Sequence, residues 1–253
     1  MDIRSVTISH RGRSVSGVFY APSVPSPAVL FCHGYNGGRR DFMPDAAFMA
    51  ENGVASLAID FCGGSSRDNS GFPTTAMTMA TEKEDALAAA AWLAAQPCVT
   101  DVFLFGGSMG GLASVLAGAE KPDRLAGLIL LYPALNIADS WRARFPEPRD
   151  VPETVDFWGM TLGRDYFLDL MVRDVFSLLP QLDLPAVIFH GALDEVIPLS
   201  ASERAAQLLN APLHIFPYEG HGFTPEAQAQ VDCLSLQFIR DCLSRGRFSI
   251  TYE

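Results

Sequence analysis

The chain has 253 residues, a length at which α/β folds routinely form one domain with a large core. Hydrophobic residues make up 49% of the chain and charged residues 19%, which excludes a disordered protein. The formal net charge of -11 means that the surface repels phosphate backbones and anionic lipids, so we expect neither a nucleic-acid partner nor a membrane partner.

The amino terminus and the cysteines give no sign of secretion or of a metal site. The first residues, MDIRSVTISHRGR, contain no apolar core before a small-residue cleavage site, so we expect a cytoplasmic protein. Apolar runs are far shorter than the roughly 20 residues of a membrane-spanning helix. The five cysteines show no C-x-x-C spacing, which predicts neither a disulfide framework nor bound zinc.

Hydrophobic patterning predicts strands and helices that alternate along most of the chain. Two amphipathic strands around Arg11-Gly12-Arg13 indicate an antiparallel hairpin at a sheet edge. Buried strands are predicted, in order, over 28–32, 54–59, 102–105, 125–132, 186–189 and 213–216. Helices are predicted over 41–52, 79–95, 199–209 and 225–243, with a further helix directly after residue 108. This alternation predicts an α/β protein with a mostly parallel sheet flanked by helices.

Residues 136–179 interrupt the alternation. This stretch follows the sixth predicted strand, contains seven aromatic residues and is too long for an ordinary connection. We therefore expect a single domain over residues 1–253 with an inserted cap at about 136–179.

The most informative stretch joins the strand 102–105 to a helix through Gly106-Gly107-Ser108-Met109-Gly110. A sharp strand-to-helix turn would strain Ser108 and project its hydroxyl above the sheet, and only glycines tolerate the close backbone approach at Gly106 and Gly110. Neither a dinucleotide fingerprint nor a phosphate-binding G-x-x-x-x-G-K-[ST] motif fits the sequence. The turn predicts a serine nucleophile.

Two further residues after strands complete a candidate triad. Asp194 lies in HGALDEVIP after the strand 186–189, and His221 lies in YEGHGF after the strand 213–216. Their order along the chain, Ser, Asp, His, is the order that G-x-S-x-G hydrolases use. His221 is the expected base, since the other four histidines have structural explanations, and Asp194 is the expected orienting carboxylate, with Glu195 as its nearest rival.

A tetrahedral oxyanion needs two fixed N–H donors. We expect one from the amide of Met109, directly after the nucleophile, and the other from the amide of Tyr35, in the loop after the strand 28–32. Both donors would be backbone groups, so the side chains at these positions are free to vary.

These motifs together, His33-Gly34, the turn at Ser108, HGALDEVIP and EGHGF, resemble those of the α/β-hydrolases over almost the whole chain. The opening HGYNGGRRDF, the chain length and the position of the cap resemble the small bacterial carboxylesterases that include cinnamoyl and feruloyl esterases. In those enzymes cap residues meet the phenolic end of the substrate, and the resemblance implies that role for Asp139 and Tyr166.

The sequence therefore predicts a serine hydrolase of small hydrophobic or aromatic carboxylic esters that needs no cofactor and no metal. Thioesters, lactones and short peptides remain alternative substrates for the same triad. A binding protein without catalysis is the alternative from another class. A small-molecule ester is the expected partner, and a homodimer is compatible with the sequence.

Overall fold

A computed structural model of the protein describes residues 1–248, so residues 249–253 of the predicted domain lie outside the described residues. Within the described part, the strands are β1 (Asp2–His10), β2 (Arg13–Ala21), β3 (Ser26–Cys32), β4 (Ala55–Asp60), β5 (Val99–Gly107), β6 (Leu125–Leu131), β7 (Thr154–Phe157), β8 (Met160–Gly163), β9 (Ala186–Gly191) and β10 (Leu213–Phe216). The α-helices are α1 (Met43–Glu51), α2 (Met79–Ala94), α3 (Met109–Gly118), α4 (Ile137–Arg144), α5 (Arg164–Met171), α6 (Val175–Leu178), α7 (Leu199–Leu209) and α8 (Pro225–Phe248).

Eight strands form one sheet in the order β1-β2-β4-β3-β5-β6-β9-β10. The β1–β2 hairpin lies at one edge, and β2 pairs antiparallel with β4. Every pairing from β4 to β10 is parallel, which confirms the predicted sheet. Parallel strands end at the same edge of a sheet, so the loops after β3, β5, β9 and β10 meet there.

The central strands are buried on both faces because helices cover both. Along β5, Leu104 faces a cluster that includes residues of α2 and α3, whereas Phe103 and Phe105 face a cluster with residues of α1 and α8. Because both faces are buried, the central strands are continuous apolar runs in the sequence. It also fixes β5, which leads to Ser108, in the middle of the core.

Residues 132–185 connect β6 to β9; this segment, here called the insert, includes the stretch of about 136–179 that the sequence predicts as a cap. It contains α4, the antiparallel hairpin β7–β8, α5 and α6. The hairpin turns at Trp158 and Gly159, which have φ values of 42° and 77°. It is tied to the loop after β3 by the Tyr35 hydroxyl, which donates to the Phe157 carbonyl at 2.6 Å.

Candidate active site

Ser108 occupies a strained turn between β5 and α3. Its φ of 51° and ψ of -117° are rare for a residue with a side chain. A Cβ added to Gly106 would lie 2.3 Å from the Gly110 carbonyl oxygen, and one added to Gly110 would lie 2.2 Å from the Cys32 carbonyl oxygen. Glycine is therefore required at both positions for β5, α3 and β3 to approach closely enough to form this turn.

The structure brings Ser108, His221 and Asp194 together although they are far apart in the sequence. His221 Nε2 lies 3.0 Å from Ser108 Oγ, and His221 Nδ1 lies 2.8 Å from Asp194 Oδ2. The Asp194 side chain is fully buried, whereas the His221 side chain is 20% exposed. This is the geometry of a nucleophile, a base and a carboxylate that orients the base.

Asp194 is held as an anion by its surroundings. Burial alone would raise the pKa of this carboxyl, but the hydrogen bond from His221 and the amides of Ile197 and Val196 favour the charged form and bring its pKa below the ordinary value. Both amides donate to Oδ1 at 2.8 Å, which leaves Oδ2 for His221. Glu195, the rival from the sequence, is not the carboxylate that meets His221.

The imidazole of His221 is positioned by an aromatic ring and by a glycine turn. The Tyr132 ring centroid lies 4.6 Å from that of His221, and Tyr132 also packs against Phe223. Gly222 adopts a φ of 95°, which a residue with a side chain rarely adopts. The loop after β10 can therefore turn sharply and present His221 to the end of β5.

A second buried histidine, His190 at the end of β9, lies behind Asp194. Its Nε2 is 3.0 Å from the Ile197 carbonyl oxygen and 3.4 Å from Asp194 Oδ2, and its Nδ1 is 2.8 Å from Ser202 Oγ. A carbonyl can only accept, so Nε2 carries the proton and Nδ1 accepts from Ser202. Burial lowers the pKa of His190, which favours the neutral ring.

The two residues expected to donate backbone N–H groups to an oxyanion, Tyr35 and Met109, both lie beside Ser108. Tyr35 and Met109 line the same cavity as Ser108. A Cβ added to Gly34 would lie 3.2 Å from Ser108 Cβ, so the loop after β3 approaches the serine closely. That loop is fixed by His33, whose Nδ1 lies 2.7 Å from the Gly34 carbonyl oxygen and whose Nε2 accepts from the Phe61 amide at 3.0 Å.

Ser108 opens into a cavity of about 330 Å³ between the sheet edge and the insert. Its wall is mostly apolar and aromatic, and the charged side chains that line it are Arg144 and Glu195. The residues of the wall are Tyr35, Met109, Ala134, Ile137, Ser140, Trp141, Arg144, Phe157, Trp158, Glu195, Val196 and Ile197. Such a cavity suits a hydrophobic or aromatic group next to the serine.

The two insert residues implied by the esterase resemblance do not line this cavity. Asp139 lies on α4 with its side chain 60% exposed and forms an ion pair with Arg142, because Ile137, Ser140, Trp141 and Arg144 take the cavity-facing side of that helix. Tyr166 is fully buried, and its hydroxyl lies 3.3 Å from Met109 Sδ. Tyr166 therefore supports a cavity residue from behind, and Asp139 forms part of the exposed surface.

Most of the insert residues that line the cavity are not indicated by any motif in the sequence. Trp158 and Phe157 lie at the β7–β8 turn, and their rings stack at 4.8 Å. The alternation in TVDFWGMTLG around a central glycine is the signal that could have located this hairpin. Within the described residues, no group of three or more His, Cys, Asp or Glu side chains is arranged to hold a metal ion, and no helix is long and apolar enough to cross a membrane.

Solved structures with the same fold include several hydrolases. Est1E from Butyrivibrio proteoclasticus aligns with a TM-score of 0.82 at 23% identity, covering 95% of this chain and 99% of that one. The same protein with bound ferulic acid aligns with a TM-score of 0.84 at 24% identity, covering 94% and 99%. A dienelactone hydrolase from Anabaena variabilis aligns with a TM-score of 0.71 at 20% identity, covering 95% and 97%. At these identities the similarity establishes the α/β-hydrolase fold.

Similarity in sequence points to hydrolases as well. A curated relative, "Putative carbamate hydrolase RutD" of Caulobacter sp. (strain K31), is 32% identical over 112 residues, which are 44% of this chain and 41% of the relative. The matched part thus spans about two fifths of that relative's length. The family model for serine aminopeptidase, S33, matches residues 23–155, more than half of the chain, and the protein therefore belongs to this hydrolase family.

Proposed function

We propose that the protein is a serine hydrolase that cleaves carboxylic esters through an acyl-enzyme. The observation that carries this proposal is the chain of contacts from Ser108 through His221 to Asp194, with atom separations of 3.0 Å and 2.8 Å, at the mouth of an apolar cavity. A serine hydroxyl is a weak nucleophile until a base within hydrogen-bond distance can take its proton. His221 lies at that distance, and Asp194 directs its unprotonated nitrogen to the serine.

The proposed first half-reaction forms one bond and breaks another at the acyl carbon. Ser108 Oγ attacks the ester carbonyl while its proton moves to His221 Nε2, and the carbonyl oxygen becomes an oxyanion. The amides of Tyr35 and Met109 would donate to that oxyanion. When the intermediate collapses, the bond to the alcohol oxygen breaks, and the leaving alcohol receives the proton from His221.

Water completes the cycle. It attacks the acyl carbon and gives one proton to His221 Nε2, and the second tetrahedral intermediate then releases the carboxylic acid and returns the proton to Ser108. Asp194 stays ionised throughout and stabilises the positive charge on His221. Each turnover thus consumes one ester and one water and yields one acid and one alcohol.

The cavity wall supports a small hydrophobic or aromatic acyl group. Its volume of about 330 Å³ is at the lower end of the range for ligand sites, which suits a compact substrate. Trp141, Phe157 and Trp158 offer aromatic surfaces to a planar ring. Est1E, which has the same fold, has been captured with ferulic acid, and this supports hydroxycinnamate-like esters as the first substrates to test. We also propose that the insert acts as the cap over the bound acyl group.

A second candidate function is the hydrolysis of short peptides or amides. Among the described residues that line the cavity, Glu195 has the only carboxylate side chain. This carboxylate could form an ion pair with the ammonium group of a substrate. The family description as a serine aminopeptidase supports the same candidate. Thioesters and lactones also remain candidates because the same triad can attack their acyl carbons.

The proposal is tested by measuring hydrolysis by the wild type and by Ser108→Ala across short-chain, long-chain and hydroxycinnamate esters, with matching thioesters, lactones and aminoacyl amides. We expect turnover that is highest on compact aromatic or short-chain esters and that disappears in Ser108→Ala. Preference for aminoacyl amides, lowered by Glu195→Gln, would favour the second candidate. No turnover of any compound would favour the binding protein without catalysis.

A further inference from the structure

A second cavity, here called the polar cavity, lies between the β1–β2 hairpin and the loops that follow β3 and β4. Its volume is about 510 Å³, and it shares no lining residue with the cavity at Ser108. Thr7, Ser14 and Ser16 line it from the hairpin, and His33 and Phe61 are among its most buried residues. It is therefore a separate site and is large enough for a ligand of one or two sugar-sized rings.

The charges in the wall of the polar cavity cancel. Three arginines and three aspartates line it, and His33 is held neutral because burial lowers its pKa. Since the whole protein carries a net charge of -11, neither the cavity nor the surrounding field favours an anion. The charge balance indicates a neutral ligand.

The three carboxylates are already engaged by groups of the protein. Asp60 accepts from the Arg39 amide at 2.7 Å and from the Arg39 guanidinium at 2.6 Å. Asp41 accepts from the Gly38 amide at 2.9 Å. Asp68 accepts from the amides of Gly63 and Ser70 at 2.8 Å and 3.0 Å. These bonds hold both loops in place, so the cavity is preformed and its acids do not gather around a cation.

Other polar groups of the wall point to the solvent that fills the cavity. Thr7, Arg40 and Asn69 are exposed and Ser14 is half-buried, and none of their side chains bonds to another residue that the structure describes. The hydroxyls and the amide can both donate and accept, whereas the guanidinium only donates. A ligand that offers several hydroxyls, each of them donor and acceptor, satisfies this set in a way that a hydrocarbon or a single charge does not.

We propose that the polar cavity binds a neutral polyhydroxylated ligand, a monosaccharide or disaccharide or a linear polyol. Ser14, on the hairpin, and Asn69, on the loop after β4, contact its hydroxyls from opposite walls, and Arg40 donates to it at the rim. This site does not depend on the chemistry proposed for Ser108.

The test is saturation-transfer NMR on the full chain, titrated with glucose, maltose and sorbitol, and with phosphate and citrate as anionic probes. We expect saturable binding of at least one neutral probe, with a Kd on the order of millimolar, because the ligand would be held by a few hydrogen bonds in an open cavity. Asn69→Ala should weaken that binding by about tenfold, the loss of one or two hydrogen bonds. Ser14→Phe, which fills the cavity, should abolish it.

Two controls separate this site from the catalytic one and from a general loss of structure. Gln230→Ala removes an exposed amide on α8 that is outside the polar cavity, and it should bind as the wild type does. Ser108→Ala should also retain binding, whatever the fate of the proposed hydrolase activity. If Ser14→Phe fails to fold, Asn69→Ala decides. Absence of saturable binding by every neutral probe, a preference for phosphate or citrate, or unchanged binding by Asn69→Ala would overturn the proposal.

Discussion

His221 and His190 both lie within 3.4 Å of the Asp194 carboxylate, yet their remaining contacts differ. His190 is fully buried, and both of its ring nitrogens are engaged, one by Ser202 and the other by the Ile197 carbonyl. His221 is partly exposed and has only Nδ1 on the carboxylate, which leaves Nε2 facing Ser108 at 3.0 Å. A histidine beside a buried carboxylate is therefore a candidate base only when its second nitrogen reaches the serine as an acceptor.

The comparison assigns opposite roles to the two rings. His221 would exchange a proton in every half-reaction, whereas His190 would stay neutral and hold β9, Ile197 and Ser202 in place around Asp194. Substitutions can test this division of roles, because a change at one histidine should affect catalysis and a change at the other should affect stability. The largest effect on kcat is expected at Ser108 and His221.

Ser108→Ala and His221→Ala should each lower kcat on the best ester by about 10⁵ to 10⁶, because nucleophile and base act as a unit. Steady-state kinetics measure the loss, and the double variant should be no slower than either single one. Melting temperatures should stay near that of the wild type. A His221→Ala protein that keeps more than a hundredth of the activity would contradict the assignment of this ring as the base.

Asp194→Asn should lower kcat by about 10³ to 10⁴, since an amide can donate to His221 Nδ1 and so favour the wrong tautomer. The amides of Val196 and Ile197 can still bond to the Asn oxygen, so the loop should keep its shape. Glu195→Gln is the matched control and should change kcat little on esters. Equal losses in the two variants would favour Glu195 as a second participant.

His190→Ala should chiefly lower stability. The substitution leaves the Ser202 hydroxyl and the Ile197 carbonyl without their buried partner and opens a cavity, at a cost of about 2 to 4 kcal/mol in the free energy of unfolding. Urea unfolding measures this cost, and Ser202→Ala should show a smaller one. Below the melting transition kcat should fall by less than about tenfold, the effect of one displaced hydrogen bond. A loss of kcat as large as that of His221→Ala, with unchanged stability, would reverse the two roles.

The pH dependence of stability should also report on the neutral state of the buried His190 ring. Burial lowers the pKa of His190 in the folded protein, so below the ordinary histidine pKa the unfolded chain binds more protons and stability falls as the pH falls. His190→Asn should weaken this dependence at pH values below about 6.5, the ordinary pKa of a histidine in the unfolded chain. His33 and His214, whose pKa values burial also lowers, should maintain part of the slope in both proteins. An unchanged slope in His190→Asn would contradict a neutral, buried ring.

The smallest effect is expected at Tyr35, where the proposed contribution to the oxyanion comes from the backbone. Tyr35→Phe keeps the amide and removes the hydroxyl that donates to Phe157, so the insert should be held less firmly. We expect KM to rise by up to about tenfold, the value of one hydrogen bond, with kcat nearly unchanged. A fall in kcat by a hundredfold in Tyr35→Phe would show that the hydroxyl itself acts in catalysis.

The proximity of Ser108, Asp194 and His221 could be predicted from the sequence because each of them follows a strand that short-range patterning locates well. The sheet topology then brings the carboxyl ends of β5, β9 and β10 to one edge. The turn at Ser108 was predictable for the same local reason, since the glycines on both sides are required by contacts within a few residues or with the adjacent strand. Helix α7 (Leu199–Leu209) was predicted with its observed ends.

The insert was less predictable because its geometry depends on packing against distant elements. Contacts such as that of Trp141 with Phe167 decide which face of α4 points inward. The sequence therefore could not show that Asp139 lies on the outer face of this helix. Tyr166 is buried against Met109, a residue 57 positions away. The start of α1 also differs from the prediction, because residues Arg39–Phe42 form a 3-10 turn tied to Asp60.

In the proposed mechanism His221 activates Ser108, and the most direct measurement of this activation is mass spectrometry of the protein and its peptides after reaction with a fluorophosphonate. We predict a single adduct on the peptide that contains Ser108, formed at least about a hundredfold more slowly by His221→Ala and at a rate close to that of the wild type by His190→Asn. An adduct on another residue, or equally fast labelling of His221→Ala, would contradict the activation of Ser108 by His221.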